Sequence, residues 1–125
     1  MTYFVGWKID RPTRRRLLNL VPPKYKNVIG DHITLEYDIQ KDIPLPSTNK
    51  AIVFAIADDN IGLQVLILKI KNSIYRPDGK IFHITWSKEP GRKSSESQNV
   101  IDNNIWNFIN EEIIDIHPKI METPN

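Results

Sequence analysis

The sequence predicts an α+β fold, an antiparallel, strand-dominated core with one or two helices packed on it. Two observations carry that expectation. Apolar, β-branched runs recur along the chain between short clusters of turn residues, and one early segment shows helical spacing behind a capping residue. At 125 residues the chain has the usual size of one domain, spanning 1–125, and can bury a core without disulfides or a structural metal.

The elements follow in order. "TYFVGWKI" is aromatic and β-branched and reads as a first strand. "DRPTRRRLLNLV" reads as a helix with Asp10 as N-cap, Pro12 in the first turn and Leu17, Leu18 and Val21 as its buried stripe, ended by Pro22 and Pro23. "KNVIGDHITLEYDI" is a second strand region, and the proline-bearing "QKDIPLPSTNK" cannot continue it. "AIVFAIADD" and "IGLQVLILKI" form a hairpin around Asp58, Asp59 and Asn60. Pro77-Asp78-Gly79 supplies the next turn before the strand "IFHITWS", and "KEPGRKSSESQN" reads as a loop. In "VIDNNIWNFINEEIIDI" the apolar positions Ile101, Ile105, Trp106, Phe108, Ile109 and Ile113 suit an amphipathic helix for part of the length, with "EEIIDI" alternatively a short strand.

Composition narrows the chemistry. With no cysteine, thiolate metal sites, disulfides and cysteine nucleophiles are excluded, leaving histidine, carboxylates and hydroxyls. The amino-terminal order, apolar then basic, is the reverse of a secretory signal, and "IGLQVLILKI" is too short and interrupted to span a bilayer, so a cytoplasmic protein without membrane contact is expected, in the host cytoplasm if the source is viral. The net charge of +2 is small; Arg14, Arg15, Arg16, Lys24 and Lys26 make the first third locally basic, which reads as a solvated helix face rather than a footprint for extended nucleic acid.

Two fragments stand apart: "DHITLEY" at 31–37 and "FHITWSK" at 82–88 each contain His-Ile-Thr, and together they hold two of only three histidines. In a strand, His32 and Thr34 share one face while Ile33 and Leu35 face a core, and the same holds for His83 and Thr85 against Ile84 and Trp86. Two such strands side by side would gather two imidazoles and two hydroxyls around one small concave site. That set suits phosphodiester chemistry: a neutral imidazole takes a proton from the attacking oxygen, a protonated one gives a proton to the leaving oxygen, and the hydroxyls donate to the non-bridging oxygens. Against this stand a satisfied structural His-x-Thr pair and a zinc site, for which His117, beside Pro118, makes a poor third ligand. No metal and no other cofactor is expected, and Trp7, Trp86 and Trp106 read as core.

The paired tripeptides, about fifty residues apart, resemble the signature of the 2H phosphoesterase superfamily, which includes RNA 2′,3′-cyclic phosphodiesterases. "RPDGKIFHITWSKEPGRKSSES" looks like the second-motif region of the branch related to the fungal tRNA ligase phosphodiesterase domain, and "PPKYKNVIGDHITLEY" like its first; together they cover about a third of the chain. The resemblance implies a bilobal α+β fold with both motifs on central strands facing one central cleft, and metal-independent hydrolysis with His32 and His83 as acid–base pair and Thr34 and Thr85 as phosphate binders. It implies a small nucleotide or an RNA end as partner: members divide among RNA-end processing, ADP-ribose cyclic phosphate hydrolysis, 2′–5′ oligoadenylate cleavage and, in some viral proteins, destruction of cyclic nucleotide messengers of immunity. Tyr3, Trp7, Tyr37, Arg76, Lys80, Ser87 and Lys93 are further candidates for base or phosphate contact, each with a surface or packing role as the alternative. A nucleotide-sequestering module with the same pocket is the second functional reading, and a structural interaction protein, which leaves the repeat unexplained, the third.

Overall fold

The computed structural model describes residues 2–123. It is α+β, with two antiparallel sheets and two helices. Strand β1 (Thr2–Lys8) is followed by helix α1 (Arg11–Leu20), a two-residue strand β2 (Asn27–Val28), β3 (His32–Tyr37), the hairpin β4 (Lys50–Asp58) and β5 (Leu63–Lys69), and β6 (His83–Lys88). A 3-10 turn (Ser94–Glu96) then leads into helix α2 (Ser97–Asn103), and β7 (Asn107–Asp115) and β8 (His117–Thr123) complete the order. One sheet has the order β3-β1-β8 and the other β2-β6-β5-β4-β7.

The expected early elements form for the expected reasons. Asp10 caps α1 by accepting a hydrogen bond from the Thr13 N–H at 2.9 Å, and Pro12 occupies the first turn, where no donor is lost. Leu17 is fully buried and Val21 nearly so, and Pro22 and Pro23 stop the helix. In the β4–β5 turn the Asp59 carboxylate accepts the N–H groups of Ile61, Gly62 and Leu63 at 3.0, 3.0 and 3.1 Å. All of β5 but its last residue is buried, because both faces of its sheet are covered. One face meets Trp7, Ile33 and Leu17 from the small sheet and α1; the other packs Ala55, Val65 and Ile67 against Val100 and Ile101 of α2.

The carboxy-terminal third departs from expectation in part, while the strand alternative for "EEIIDI" holds. The helix ends at Asn103, earlier than the apolar spacing suggested, and 107–115 is an edge strand on β4. The β-branched isoleucines there suit a strand, and the alternating Ile114 and Ile116 supply the buried positions, while Ile105, Phe108 and Ile113 are exposed. The following β8 pairs with β1 along its whole length, so the end of the described chain completes the small sheet. The segment read as a loop, 88–99, contains the 3-10 turn and the start of α2. Among the described residues, no helix is long and apolar enough to cross a membrane.

The second strand region also divides. Its first part, β2, pairs with β6 in the large sheet, and its second part, β3, pairs with β1 in the small one. The chain changes sheets at Gly30, with φ +55°, where an added Cβ would lie 2.7 Å from the Trp86 ring. At this crossing the Ile29 and Gly30 N–H groups donate to the Trp86 and Thr85 carbonyls, both at 2.9 Å. The crossing fastens the start of β3 to the second motif.

Candidate active site

The two motif strands are not ladder partners. His32 and Thr34 stand on β3, an outer strand of the small sheet rather than a central one, and His83 and Thr85 stand on β6 of the large sheet. In each copy the central isoleucine is fully buried in the core between the sheets, so by alternation the histidine and threonine face away from that core. The seam at Gly30 brings these two faces together. A cleft of about 300 Å³ is lined by His32, Thr34, His83 and Thr85, together with Tyr37, Arg76, Lys80, Ser94, Ser95, Gln98 and Thr123.

Both motifs carry the same backbone irregularity. The ladder of β1 with β3 skips Leu35, passing from Gly6 opposite Thr34 to Val5 opposite Glu36. The ladder of β5 with β6 skips Trp86, passing from Val65 opposite Thr85 to Gln64 opposite Ser87. A bulge after each threonine shifts the alternation, which turns Tyr37 onto the face of His32 and Thr34. The first bulge requires Gly6, since a Cβ there would meet the Ile33 carbonyl oxygen at 2.0 Å.

The imidazoles are held differently. His83 is half-buried, and its Nδ1 lies 2.8 Å from the Ile81 carbonyl, which fixes Nδ1 as the protonated nitrogen of the neutral ring. Burial pushes the His83 imidazole down to about 4; the Ile81 carbonyl opposes this, while the charges of Arg76, His32 and Lys80 add to it. Nδ1 of His32 lies 2.5 Å from Asp31 Oδ1, and this hydrogen bond holds the Asp31 carboxyl below its ordinary value against the opposing effect of burial. Among the described residues, neither Nε2 has a hydrogen-bond partner within the chain.

The hydroxyls are positioned too. Thr85 Oγ1 lies 2.8 Å from Oγ of Ser97, a fully buried residue at the start of α2, and Thr34 Oγ1 donates weakly to the Tyr37 hydroxyl at 3.5 Å. The Arg76 guanidinium, nearly inaccessible to solvent, forks onto the Asp78 carboxylate and lies 5.3 Å from the Tyr37 ring centre. Arg76, paired with Asp78, and Lys80 thus place two basic side chains on the inner wall.

The remaining candidates lie elsewhere. Trp7 is core, donating from Nε1 to the Thr48 carbonyl at 2.8 Å and packing edge-on against Phe82. Ser87 is fully buried, donates to Gln64 Oε1 at 2.6 Å and accepts from the Lys24 and Tyr25 N–H groups, so it anchors the 22–25 segment. Tyr3 lies beside Lys41, and Lys93 is an exposed residue whose N–H donates to Glu96; neither lines the cleft. Trp86 is fully buried, with Nε1 donating to the Val21 carbonyl at 2.8 Å, and Trp106 is partly buried against the core beneath α2. His117 is far from the tetrad in role, pairing its Nε2 with Asp10 Oδ2 at 2.9 Å. Among the described residues, no three His, Asp or Glu side chains gather where they could hold a metal ion.

Comparison with protein-family models, curated proteins and solved structures returns no match.

Sequence reasoning missed Asp31, Ser94, Ser95, Ser97, Gln98 and Thr123. Asp31 had a signal, since it directly precedes His32 in the repeated fragment. The others reach the cleft through α2 packing and the β1–β8 ladder, and carry no local mark of it.

Proposed function

We propose that this cleft is the active site of a metal-independent phosphodiesterase of the 2H type, acting on a nucleotide phosphodiester: a 2′,3′-cyclic phosphate end, a cyclic oligonucleotide or a 2′–5′ linked nucleotide. The observation that carries this reading is the meeting of both His-x-Thr copies in one small cleft, with each Nδ1 engaged and each Nε2 left for chemistry. The two sheets, each bearing one copy, support the finer reading of the fold as a bilobal 2H-like arrangement around that cleft.

The roles divide by environment. His83, which burial keeps neutral at pH 7, serves as general base: its Nε2 takes a proton from water as the water oxygen bonds to phosphorus. His32, held by Asp31, serves as general acid: the bond from phosphorus to the leaving oxygen breaks, that oxygen keeps the electron pair, and the His32 proton neutralises it. Thr34 and Thr85 donate to the non-bridging oxygens as charge accumulates, and Arg76 and Lys80 hold the anion. Asp31, whose carboxylate is about half exposed, orients His32 through its hydrogen bond to Nδ1.

The alternative is a nucleotide-sequestering module with the same pocket, which needs neither an aligned acid nor a base. Purified protein incubated in excess chelator with 2′,3′-cyclic mononucleotides, cyclic dinucleotides and 2′–5′ oligoadenylate, with products resolved by chromatography, tests the proposal. Turnover of at least one class is expected; tight binding of one class without turnover of any favours sequestration.

A further inference from the structure

We infer that the substrate is a phosphodiester joining two nucleosides, and that the nucleoside which leaves sits in a groove beside His32 formed by β1, β3 and β8. This inference rests on the phosphodiesterase reading above and narrows its substrate.

A groove of about 810 Å³ adjoins the catalytic cleft and shares His32, Tyr37, Ser94 and Thr123 with it. His83, Thr85, Arg76 and Lys80 line the inner cleft alone, whereas Phe4, Lys119 and Met121 line the groove alone. His32 thus stands at the boundary and His83 inside. In a displacement at phosphorus, the attacking and leaving oxygens lie on opposite sides. If His83 is the base, water attacks from the inner side and the leaving oxygen emerges on the side of His32, toward the groove. In a 2′,3′-cyclic mononucleotide the leaving oxygen stays on the ribose that also carries the retained oxygen, so its single nucleoside can occupy the cleft or the groove but not both. A diester between two nucleosides places its second nucleoside there.

The groove has the size and surface for a nucleoside. The inner cleft, about 300 Å³, is at the lower end of ligand pockets and holds the phosphate and one nucleoside at most, while the groove is near the upper end. Its wall is aromatic where it meets the cleft: the buried Phe4 ring lies 5.3 Å from the His32 ring and 5.7 Å from the ring of Tyr37, so it backs Tyr37, which is half exposed and offers the accessible aromatic surface. Met121 stands opposite Phe4 in the β1–β8 ladder, a flexible sulfur-bearing side chain suited to packing on a flat ring. Aromatic faces beside a cationic phosphate site are what a nucleobase stacks on, largely without regard to its identity. The floor between them is kept low by Gly6, whose ladder neighbours are Thr34 and Lys119 and which has no side chain to raise it.

The test compares kcat/KM for cyclic di-AMP, 2′–5′ linked diadenosine and 2′,3′-cyclic AMP, using wild-type protein and the variants Met121→Trp and Lys119→Trp, each of which fills the groove. Met121→Leu conserves volume and serves as the control for the ladder, and circular dichroism reports folding. Lys119 is exposed, so its variant is informative even where Met121→Trp does not fold. At least one dinucleoside substrate is expected to exceed 2′,3′-cyclic AMP tenfold or more. Each folded tryptophan variant is expected to lower that ratio at least tenfold, and Met121→Leu to keep it. Hydrolysis of 2′,3′-cyclic AMP as fast as both dinucleoside substrates overturns the inference and leaves the phosphodiesterase reading standing. A dinucleoside preference that both tryptophan variants leave intact overturns the placement in the groove. No hydrolysis of any substrate removes both.

Discussion

Lowering the pH tests the assignment of His83 as base more severely than deleting it does. Burial places this imidazole at about 4 instead of the ordinary 6.5. At pH 5 a group titrating at about 4 is roughly nine-tenths neutral, whereas one at 6.5 is only about 3% neutral, so the fraction of active base differs about thirtyfold. The account therefore expects kcat/KM at pH 5 to keep most of its plateau value on the ascending side, and to fall by half only near pH 4. A descending side at higher pH reports loss of the proton donated to the leaving oxygen, and the two limbs are macroscopic values of the coupled pair rather than of either residue alone. The assay is kcat/KM from pH 3.5 to 9.5 at constant ionic strength, with a solvent isotope effect to establish that proton transfer is in the limiting step. Histidine ring NMR signals give an independent titration. An ascending limb centred at or above pH 6, with His83 titrating there as well, refutes the reasoning, because burial would then not hold this ring neutral.

Four further outcomes follow from the same geometry. The folded state holds the His83 imidazole low, so as pH falls below about 6.5 the unfolded chain takes the proton first; this group's stability is intact above 6.5 and declines toward pH 4, by at most about 3 kcal/mol. Urea midpoints of wild type and His83→Gln at pH 7 and 4.5 check this, and equal acid losses in both proteins contradict it. Ser97→Ala should lower kcat less than Thr85→Val, whose lost hydroxyl costs up to about 10²–10³-fold, and should add nothing in the double variant, because Ser97 acts through Thr85; additive losses would show independent roles. Gly30→Ala should destabilise by roughly 2–4 kcal/mol in denaturant melts, from left-handed strain plus collision with the Trp86 ring, and a neutral result would mean that the crossing between sheets relaxes freely. Excess chelator should leave turnover unchanged, since the tetrad supplies acid, base and hydrogen-bond donors; loss restored by zinc or manganese would overturn that division of labour.

What the sequence disclosed depended on whether the signal was local. Helix α1 was legible because Asp10, Pro12 and the Leu17–Val21 spacing act within a few residues. The apolar run of β5, interrupted within the buried stretch only by Gln64, was legible because its sheet is covered on both faces. The segment from 104 to 110 misled because its apolar residues fall at helical intervals, yet Ile105 and Phe108 remain 88% and 75% exposed, whereas from 111 the alternative strand reading holds, with Ile114 and Ile116 as the buried phase. Strand β8 had no clear pattern of its own and forms by pairing with the far end of the chain. In the site, the four motif residues were visible because they are written twice. Tyr37 reaches the cleft face only through the bulge at Leu35, which strict alternation cannot anticipate. The sheet change at Gly30, which decides that the two copies meet across a seam rather than in one ladder, follows from packing against Trp86.

The central claim is that two histidines on different sheets share one reaction, and single-turnover rates for His32→Ala and His83→Ala, measured beside their thermal melts, test it most directly. Each supplies one proton transfer, commonly worth about 10²–10⁴-fold. Both variants are expected to stay folded and to lose activity within that range, with the double variant losing less than the product of the two. A folded His83→Ala or His32→Ala protein that retains wild-type turnover contradicts the account.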